Sequence, residues 1–460
     1  PEGHPPRPRT RRMAPAGVLL ALAVGLAGIA LTGVPRGAGQ DAPRGGSAGN
    51  GDDEEPPLPA ERLVITVEAE EASIYRIAIP DLTGLDARGR EAGEILRKDF
   101  ALMPGYRVIG PGRIGEELAG EGLSMAPARW SALDAAGVVK GTIREPSDGL
   151  AGALEVTLRF YRVSSAAPAL ERTWTGLPDQ LRPFLHEFGN AILETLTGTP
   201  GPFGTKLVFA RREGPGKKDV WTAEMDGHGL EQVTRTDGVA MLPSFGPDGR
   251  VWFTRLTRRG MFITHQDAPR RRIISGDGLT MSPAICEGRV FFVSSRDGNS
   301  EIYSARLDGS DPRRLTRHPA LDLSPTCGPG GRLAFVSTRH GSPQIFVMGT
   351  DGSGVRRVTY KGNHNQTPAW CPDPQKPLLA FTGRDGNYDV FTVDLGSGEY
   401  TRLTQGQGDN KDPAFSPDCR VVAFVSNRRG QEGLYLSSPQ GFNQVRVVDG
   451  PAETVEWSRR

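Results

Sequence analysis

The sequence has few cysteines and almost no excess of either charge, and both features exclude functions. Its 460 residues include four cysteines, none of them in a Cys-x-x-Cys pair, so neither a dense disulfide framework nor a cysteine-based zinc site is expected. The 55 basic residues nearly cancel the 54 acidic ones, which leaves a formal net charge of +1. Proteins that bind nucleic acid usually carry a clustered basic face, and this balance does not suggest nucleic acid as a partner.

Turn-forming residues are abundant instead, with 60 glycines and 38 prolines, and they mark an internal repeat. Each copy begins with a proline and a small residue, continues through an apolar strand, and ends in a sequence such as Arg-Leu-Thr. The leading prolines stand at positions 243, 283, 325, 368 and 413, so the steps are 40, 42, 43 and 45 residues. Short strands repeated every 40 to 50 residues are typical of a β-propeller with one blade per repeat.

The number of blades follows from the second strand of each repeat. These strands begin near residues 207, 251, 290, 333, 379 and 421, which predicts six blades. The first repeat lacks its leading strand, and the C-terminal stretch Val455-Glu456-Trp457 has the missing pattern. We therefore predict that the C-terminal strand completes the first blade and closes the propeller, because a closed ring leaves no open sheet edge.

The region before the repeats alternates strands with helices, which predicts a small α/β domain over residues 62–200. Strands are expected at 63–67, 75–79, 106–109, 138–143 and 154–163, and helices at 89–102, 128–136 and 180–196. The last helix carries an apolar stripe with spacings of three and four residues, made of Leu181, Leu185, Phe188, Ile192 and Leu196. The fold class is thus a small α/β domain followed by an all-β propeller over residues 201–460.

The N-terminal 61 residues predict export rather than folded structure. A basic cluster around Arg11 and Arg12 precedes an apolar run at 14–34, which is the pattern of a signal peptide. We predict a signal peptide over 1–35, with cleavage near 37–39. A retained membrane anchor is the alternative, since the run has about the 20 residues that a spanning helix needs. Residues 36–61 are rich in glycine, proline and acid, which predicts a disordered tether.

Two motifs in the α/β region resemble the TolB family. The first is the sequence at 128–133 followed by the strand at 138–142, and the second runs from 181–186 into 192–198. The resemblance extends over residues 62–460. It implies a monomeric, non-enzymatic adaptor in the periplasm, without a cofactor and without membrane insertion after signal cleavage. The implied partners are the lipoprotein Pal and inner-membrane Tol proteins such as TolA, and the implied role is envelope integrity and outer-membrane constriction at division.

The resemblance also implies a docking site over one mouth of the propeller channel, formed by the loops before the leading prolines. Ordinary loop polarity is the alternative explanation for their composition. The predicted partner-binding residues are Leu242, Met281, Asp322, Leu323, Asn363, Asn365, Gln366, Asp409 and Asn410.

The four cysteines fall at similar places in neighbouring repeats. Export would deliver them to an oxidising compartment, where thiols tend to pair. We therefore predict the disulfides Cys286–Cys327 and Cys371–Cys419, each joining one blade to the next. Four cysteines allow three pairings, and buried free thiols are the alternative.

No other constellation favours an enzyme. The sequence offers no set of nucleophile, base and orienting group, and the Asp-Gly-Asn turns at 297–299 and 385–387 lack a full set of calcium ligands. His186 could be a proton-sensitive contact or a histidine that packs between helices. Two other functions stay open: an exported propeller enzyme related to hydrolases or peptidases, and a membrane-tethered sensor or scaffold.

Overall fold

A computed structural model of the protein describes residues 74–147, 151–430 and 432–459. These residues belong to one compact unit, Leu63–Arg460. The predicted signal peptide, tether and strand at 63–67 lie outside the described residues. Within the described residues, no helix has both the length and the apolar character that crossing a bilayer requires.

The front domain, residues 74–200, is built on a mixed sheet. Its strands are β1 (Tyr75–Ala78), β2 (Thr83–Gly84), β3 (Tyr106–Ile109), β4 (Gly137–Arg144), β5 (Leu154–Arg162) and β6 (Leu170–Gly176). Their order is β3-β1-β4-β5-β6, and β2 pairs with β4. Strand β5 alternates as its sequence predicts, with Leu154, Val156, Leu158 and Phe160 all buried. One face of the sheet therefore packs against helices.

The helices are α1 (Asp86–Leu102), α2 (Glu116–Ala119), α3 (Pro127–Ser131) and α4 (Leu181–Thr197), with short 3-10 turns at Pro111–Arg113, Pro178–Gln180 and Arg428–Gly430. Helix α4 buries the apolar stripe that its sequence predicts, except that Leu196 is only half-buried. It ends because Gly198 adopts a left-handed conformation, with φ of 80°, and donates its N–H to the carbonyl of Glu194 at 2.8 Å.

The described residues between 201 and 459 form five sheets of short strands, four with four strands each and one with seven strands that extends over the first two repeats and contains one parallel pair. We number the repeats as blades 1 to 6. Blade 1 contains β7 (Lys206–Gly214), β8 (Lys217–Glu224), β9 (Glu231–Gln232) and the C-terminal strand β29 (Glu453–Trp457), and blade 2 contains β10 (Val239–Phe245), β11 (Val251–Thr257) and β12 (Gly260–His265). Blades 3 and 4 contain β13 (Thr280–Cys286), β14 (Arg289–Ser294), β15 (Glu301–Arg306), β16 (Arg313–Arg314), β17 (Asp322–Gly328), β18 (Arg332–His340), β19 (Ser342–Gly349) and β20 (Arg356–Arg357). Blades 5 and 6 contain β21 (Asn365–Trp370), β22 (Leu378–Asp385), β23 (Asn387–Asp394), β24 (Tyr400–Arg402), β25 (Asn410–Phe415), β26 (Val422–Ser426), β27 (Gly433–Ser437) and β28 (Val445–Asp449).

One strand of each blade lies at the centre. We call β29, β10, β13, β17, β21 and β25 the inner strands; each contacts the next in this order, and β25 contacts β29. Strand β29 pairs antiparallel with β7, with Glu456 opposite Val208 and Trp457 opposite Leu207. The chain's last described strand is therefore joined to the first strand that follows the front domain.

A repeated side-chain clamp fastens the outer strands and explains the Arg-Leu-Thr endings. In blade 3, the Thr316 hydroxyl donates to the Glu301 carboxylate at 2.6 Å and accepts the backbone N–H of Ile302 at 2.9 Å. Equivalent clamps join Asp219 with Thr234, Gln344 with Thr359 and Asp389 with Thr404. The acid or amide always stands at or near the start of the third strand, so the fourth strand is held by polar bonds rather than by sheet length. We call this arrangement the outer clamp.

The front domain and the propeller share one apolar core. Buried Phe100 of α1 and Phe203 of the connecting segment contact each other with ring centroids 5.3 Å apart, and the same cluster continues to Leu207 and Trp457. Polar contacts add to it, because Asn443 of blade 6 donates to the carbonyl of Ala101 at 3.0 Å. The front domain and the propeller therefore pack directly against each other as one body.

Both cysteine pairs are bonded as the spacing predicts. Cys286 and Cys327 join blades 3 and 4, with Cα atoms 6.2 Å apart. Cys371 and Cys419 join blades 5 and 6, with Cα atoms 5.4 Å apart. Both distances lie in the usual range for disulfides.

The front domain differs from its sequence-based prediction in several places. Strand β2 and helix α2 are short elements that were not predicted. Helix α1 begins at Asp86, three residues before the predicted start at Gly89. Helix α3 ends at Ser131 rather than near residue 136, because Asp134 takes a positive φ of 61° that breaks the helix. Strand β6 was not predicted, since its exposed sequence, Leu-Glu-Arg-Thr-Trp-Thr-Gly, has too few apolar residues to signal a strand.

Candidate partner-binding site

Every inner strand carries a bulge at the same place, one residue before the leading proline or its equivalent. The register of each strand shifts there, between Met241 and Ser244 in β10 for example. The six bulge residues adopt left-handed φ angles between 48° and 57°, and they are Leu242, Ser282, Ser324, Thr367, Asp412 and Thr454. This region is unfavourable for residues other than glycine, so the packed ring must hold the backbone in place.

Hydrogen bonds from the neighbouring blade support these bulges. The backbone N–H of Ser282 donates to the Thr254 hydroxyl at 3.0 Å, and that of Asp412 donates to the Thr382 hydroxyl at 2.9 Å. Both threonines lie on the second strand of the preceding blade. The bulge of one blade is thus positioned by a side chain of the preceding blade, which couples the two blades near the centre.

The bulges surround a central cavity of about 150 Å³. All six bulge residues line it, together with Ser244, Glu456 and Arg459. The Glu456 carboxylate accepts the Ser244 hydroxyl and the Phe245 backbone N–H, both at 3.2 Å. Burial raises the pKa of Glu456 to about 7, despite these two hydrogen bonds. Burial also raises the pKa of Asp412, so the channel wall is polar and carries two carboxyl groups that gain protons more readily than usual.

The channel has two different ends. At one end, Arg459, two residues after β29, donates to the carbonyl of Cys327 at 3.3 Å, across from its own blade. The front domain lies on the same side, since Arg420, in the turn after inner strand β25, donates to the carbonyl of Thr199 at 3.2 Å. We call the other side the docking face; it carries the loops before the inner strands and the hairpin tips between second and third strands. The contacts of the front domain described above all lie away from the docking face.

The nine predicted partner-binding residues lie on or just inside the docking face, but most of their side chains point inward. Six are buried, namely Met281, Asp322, Leu323, Asn365, Gln366 and Asn410. Asn365, for example, donates to Gln344 and to the carbonyl of Lys361, both at 2.9 Å. Leu242 is half-buried and lines the cavity, Asp409 is half-buried, and Asn363 is exposed. Changes at the six buried residues would therefore act through the shape of the docking face and not through direct contact.

Sequence reasoning missed a set of arginines that organise this face. Arg339 stacks over Phe346 at 4.7 Å and reaches Asp322 at 3.1 Å, while Arg428 stacks over Tyr435 at 4.3 Å and reaches Asn410 at 3.0 Å. Each also donates from Nε to a serine two residues earlier in the chain. The signal was present in the sequence as Ser-x-Arg after the second strand, at 294–296, 337–339 and 426–428.

The cavity places hydroxyl and carboxyl groups side by side, as in the bond from Ser244 to Glu456. Of the described residues that line the cavity, none is a histidine. The described residues also contain no group of three or more histidine, cysteine, aspartate or glutamate side chains placed to hold a metal ion. The inner strands thus form a polar opening surrounded by loops.

A second polar cluster joins the front domain to blade 1. Arg182 of α4 donates to Glu224 at 2.6 Å and to Asp226 at 2.5 Å, and His186 contacts Asp99 at 2.7 Å and Glu224 at 3.2 Å. Burial alone would lower the pKa of His186, but its bonds to Asp99 and Glu224 outweigh burial and raise the pKa to about 9. Burial likewise opposes the ionised form of Glu224, yet His186 and Arg182 lower its pKa to about 2. His186 is therefore an interdomain ion-pair partner at neutral pH.

This cluster predicts a loss of stability at alkaline pH. Because the folded pKa of His186 lies above its ordinary value of 6.5, its contribution is complete below about pH 6.5 and is lost as the pH rises through 9. We expect the melting temperature of the wild type to fall between pH 6.5 and 9.5 by more than that of His186→Gln, which has no proton to lose. Melting curves of both proteins at half-unit pH steps measure the difference, and parallel curves would contradict the assignment.

An α/β domain fixed to one side of a propeller, with a polar channel opening on the other side, defines a class of propeller proteins that the sequence comparisons identify further. The family model described as "TolB beta propeller domain" matches residues 193–380 and 363–458. A protein from Chlorobium luteolum, described as "Protein TolB homolog", is 34% identical over 315 residues, which cover 67% of this chain and 72% of the relative. The "Tol-Pal system protein TolB" of Anaeromyxobacter dehalogenans is 32% identical over 278 residues, covering 58% of this chain and 62% of that protein.

The fold agrees with these relatives. The crystal structure of TolB from Acinetobacter baumannii superposes with a TM-score of 0.72 at 22% identity, covering 84% of this chain and 97% of that one. The chain belongs to the TolB family.

Proposed function

We propose that this protein is a non-enzymatic adaptor of the Tol–Pal system in the periplasm. In this role it binds the peptidoglycan-associated lipoprotein Pal and links it to inner-membrane Tol proteins of the TolA type, for envelope integrity and for constriction of the outer membrane at division. Membership of the TolB family supports a role in the Tol–Pal system, since relatives 31–34% identical carry the names "Protein TolB homolog" and "Tol-Pal system protein TolB".

The observation that carries the proposal is the arrangement of the docking face. Its loops surround a polar channel mouth, and the front domain contacts the propeller through turns on the opposite face, at Arg420 and Asn443. One partner can therefore bind over the mouth while the front domain engages another. An adaptor needs two separate binding surfaces of this kind.

The proposal includes a closed ring of six blades over residues 201–460, with β29 as the inner strand of blade 1. The contact of β25 with β29 and the pairing of β29 with β7 support closure. Such a ring gives the docking face its rigidity, because the bulges at Ser282 and Asp412 are each held by a threonine of the preceding blade.

Bulky substitutions at the exposed rim of the mouth test the docking site. Asn363 and Gln407 are exposed in the loops before β21 and β25. We expect the double variant Asn363→Trp/Gln407→Trp to bind Pal at least about tenfold more weakly, because side chains at the centre of an interface dominate its energy. Calorimetric titration with purified Pal measures the affinity, and an unchanged melting temperature shows that the ring is intact.

The matched control is Gln375→Trp. Gln375 is equally exposed, but it lies in the turn between β21 and β22, on the face opposite the mouth. We expect its affinity for Pal to equal that of the wild type. Equal weakening by the control, or none by the double variant, would place the lipoprotein elsewhere on the molecule.

A further inference from the structure

Blade 2 lacks the acid or amide of the outer clamp. The register aligns Phe262 of β12 with Glu301 of β15, since Phe262 pairs with Arg255 as Glu301 pairs with Ser294, and Arg255 and Ser294 both stand opposite the residue two before a bulge. Phenylalanine has no carboxylate, so the outer clamp cannot form there. Blade 6 also lacks it, with Gly433 at this position; in blade 2 the fourth strand is a single bridge between Ile263 and Ile274.

Blade 2 carries many arginines around the position that lacks the acid of the outer clamp. Residues 255–276 contain six arginines and one acidic residue, Asp267. Five of these arginines are exposed, and we call them the arginine ridge: Arg258, Arg259, Arg270, Arg271 and Arg272. In blades 3 and 5 the matching arginine is paired with the acid of the clamp: Arg314 with Glu301 at 2.8 Å and Arg402 with Asp389 at 2.5 Å.

Within the described residues, no arginine of the ridge forms an ion pair with a carboxylate. The acid within this stretch, Asp267, pairs with Arg250 at 3.0 Å. The ridge is one continuous surface, because Arg272 of the outer segment donates to the carbonyl of Arg259 in the β11–β12 turn at 3.4 Å and lies 5.0 Å from the Phe262 ring. Five like charges are therefore held together without internal compensation, which is unfavourable unless an external anion compensates them.

The composition of the ridge indicates which anion it binds. Guanidinium groups match phosphate oxygens with paired hydrogen bonds better than ammonium groups do. Protein partners usually need a buried apolar or aromatic centre, and none of the large exposed apolar side chains of the described residues lies on blade 2. An anionic bilayer surface needs no such centre, because each basic residue near it contributes on its own.

We propose that the arginine ridge is a peripheral membrane-binding surface, which contacts the phosphate headgroups of anionic phospholipids without inserting side chains into the bilayer. It holds the edge of blade 2 against the membrane and leaves the channel mouth accessible. This surface is independent of the lipoprotein site, because it depends on charges at the blade edge and not on the loops around the channel.

Hydrogen exchange of the full chain in the presence of vesicles tests the proposal. One set of vesicles contains phosphatidylcholine alone, and the other contains about 30% phosphatidylglycerol. We expect peptides within 255–276 to be protected only by the anionic vesicles, and the protection to disappear at 500 mM NaCl because salt screens exposed charges. Hydrogen exchange measures the protection of peptides within 255–276 separately from the rest of the chain. Binding of the N-terminal apolar run to the vesicles therefore does not obscure the result.

Charge variants complete the test. With about 1 kcal/mol per arginine near an anionic surface, Arg270→Ser/Arg271→Ser/Arg272→Ser should weaken the phosphatidylglycerol-dependent binding about 100-fold. The control Arg113→Ser/Arg172→Ser/Arg317→Ser removes the same net charge from exposed sites elsewhere and should bind like the wild type.

Three results would overturn the proposal. The first is equal protection by neutral and anionic vesicles, and the second is equal binding by the two triple variants. The third is protection of residues 255–276 by poly-glutamate but not by anionic vesicles, which would assign the ridge to an acidic polypeptide instead.

Discussion

Deletion of residues 455–460 is expected to lower the free energy of unfolding by more than about 5 kcal/mol and to make the protein aggregate. The deletion removes most of β29, including Trp457, which is buried and donates its indole N–H to the Thr205 hydroxyl at 2.8 Å. Loss of one buried tryptophan side chain alone costs about 3–5 kcal/mol. The backbone of β7 would also lose its partner, which leaves an open strand edge available to other chains.

Thermal melts and size-exclusion chromatography of the truncated protein measure both effects. A shorter deletion of Arg459 and Arg460 is the control, because it leaves the whole of β29 in place. A 455–460 deletion that melts and elutes like this control would show that blade 1 does not depend on the C-terminal strand.

Loss of the Cys286–Cys327 bond is expected to destabilise the protein by about 3–4 kcal/mol, because a loop of about 40 residues is then free in the unfolded chain. The double variant Cys286→Ser/Cys327→Ser tests this expectation by denaturant unfolding under oxidising conditions. Both cysteines are buried next to the central strands, so part of the effect could come from the lost sulfur atoms rather than from the bond.

Comparison of the wild type with the double variant under reducing conditions separates the two contributions, since both then lack all disulfides and differ only in the two sulfur atoms. The stability that the wild type loses on reduction measures the bonds. We expect the reduced wild type to lose stability as well, and mass spectrometry after alkylation should find no free thiol in the native protein purified from the periplasm. Four alkylatable thiols in that sample would exclude both disulfides.

Much of the fold could be predicted from the sequence because the same strand pattern occurs in several repeats. A leading proline, an alternating strand and an Arg-Leu-Thr ending recur, so an error in one copy is corrected by the others. The pairing of β29 with β7 could be predicted because blade 1 lacked a strand pattern that the C-terminus supplied. Strand β6 is not part of a repeat and has few apolar residues, so the local sequence did not predict it.

The candidate site was harder to predict, since position along the chain does not reveal which way a side chain points. Asn365 and Asn410 were selected as polar loop residues, yet both are buried and bonded within the ring. The bulges determine the direction in which these side chains point, and a bulge is a property of two paired strands rather than of one. The arginine ridge was hidden for another reason: the whole chain has a net charge of only +1, and a sum over all residues does not show a local excess.

The position of the front domain has a mechanical consequence. Its polar contacts fall on blade 1, which contains the junction of β29 with β7, and on the neighbouring blade 6: Arg182 reaches Glu224 of blade 1, and Asn443 of blade 6 reaches Ala101. A pulling force between the front domain and a partner at the channel mouth would therefore enter the propeller at that junction and at the blade beside it. Tension along the channel axis would load the hydrogen bonds between the two strands in shear, so that they resist together instead of opening one at a time.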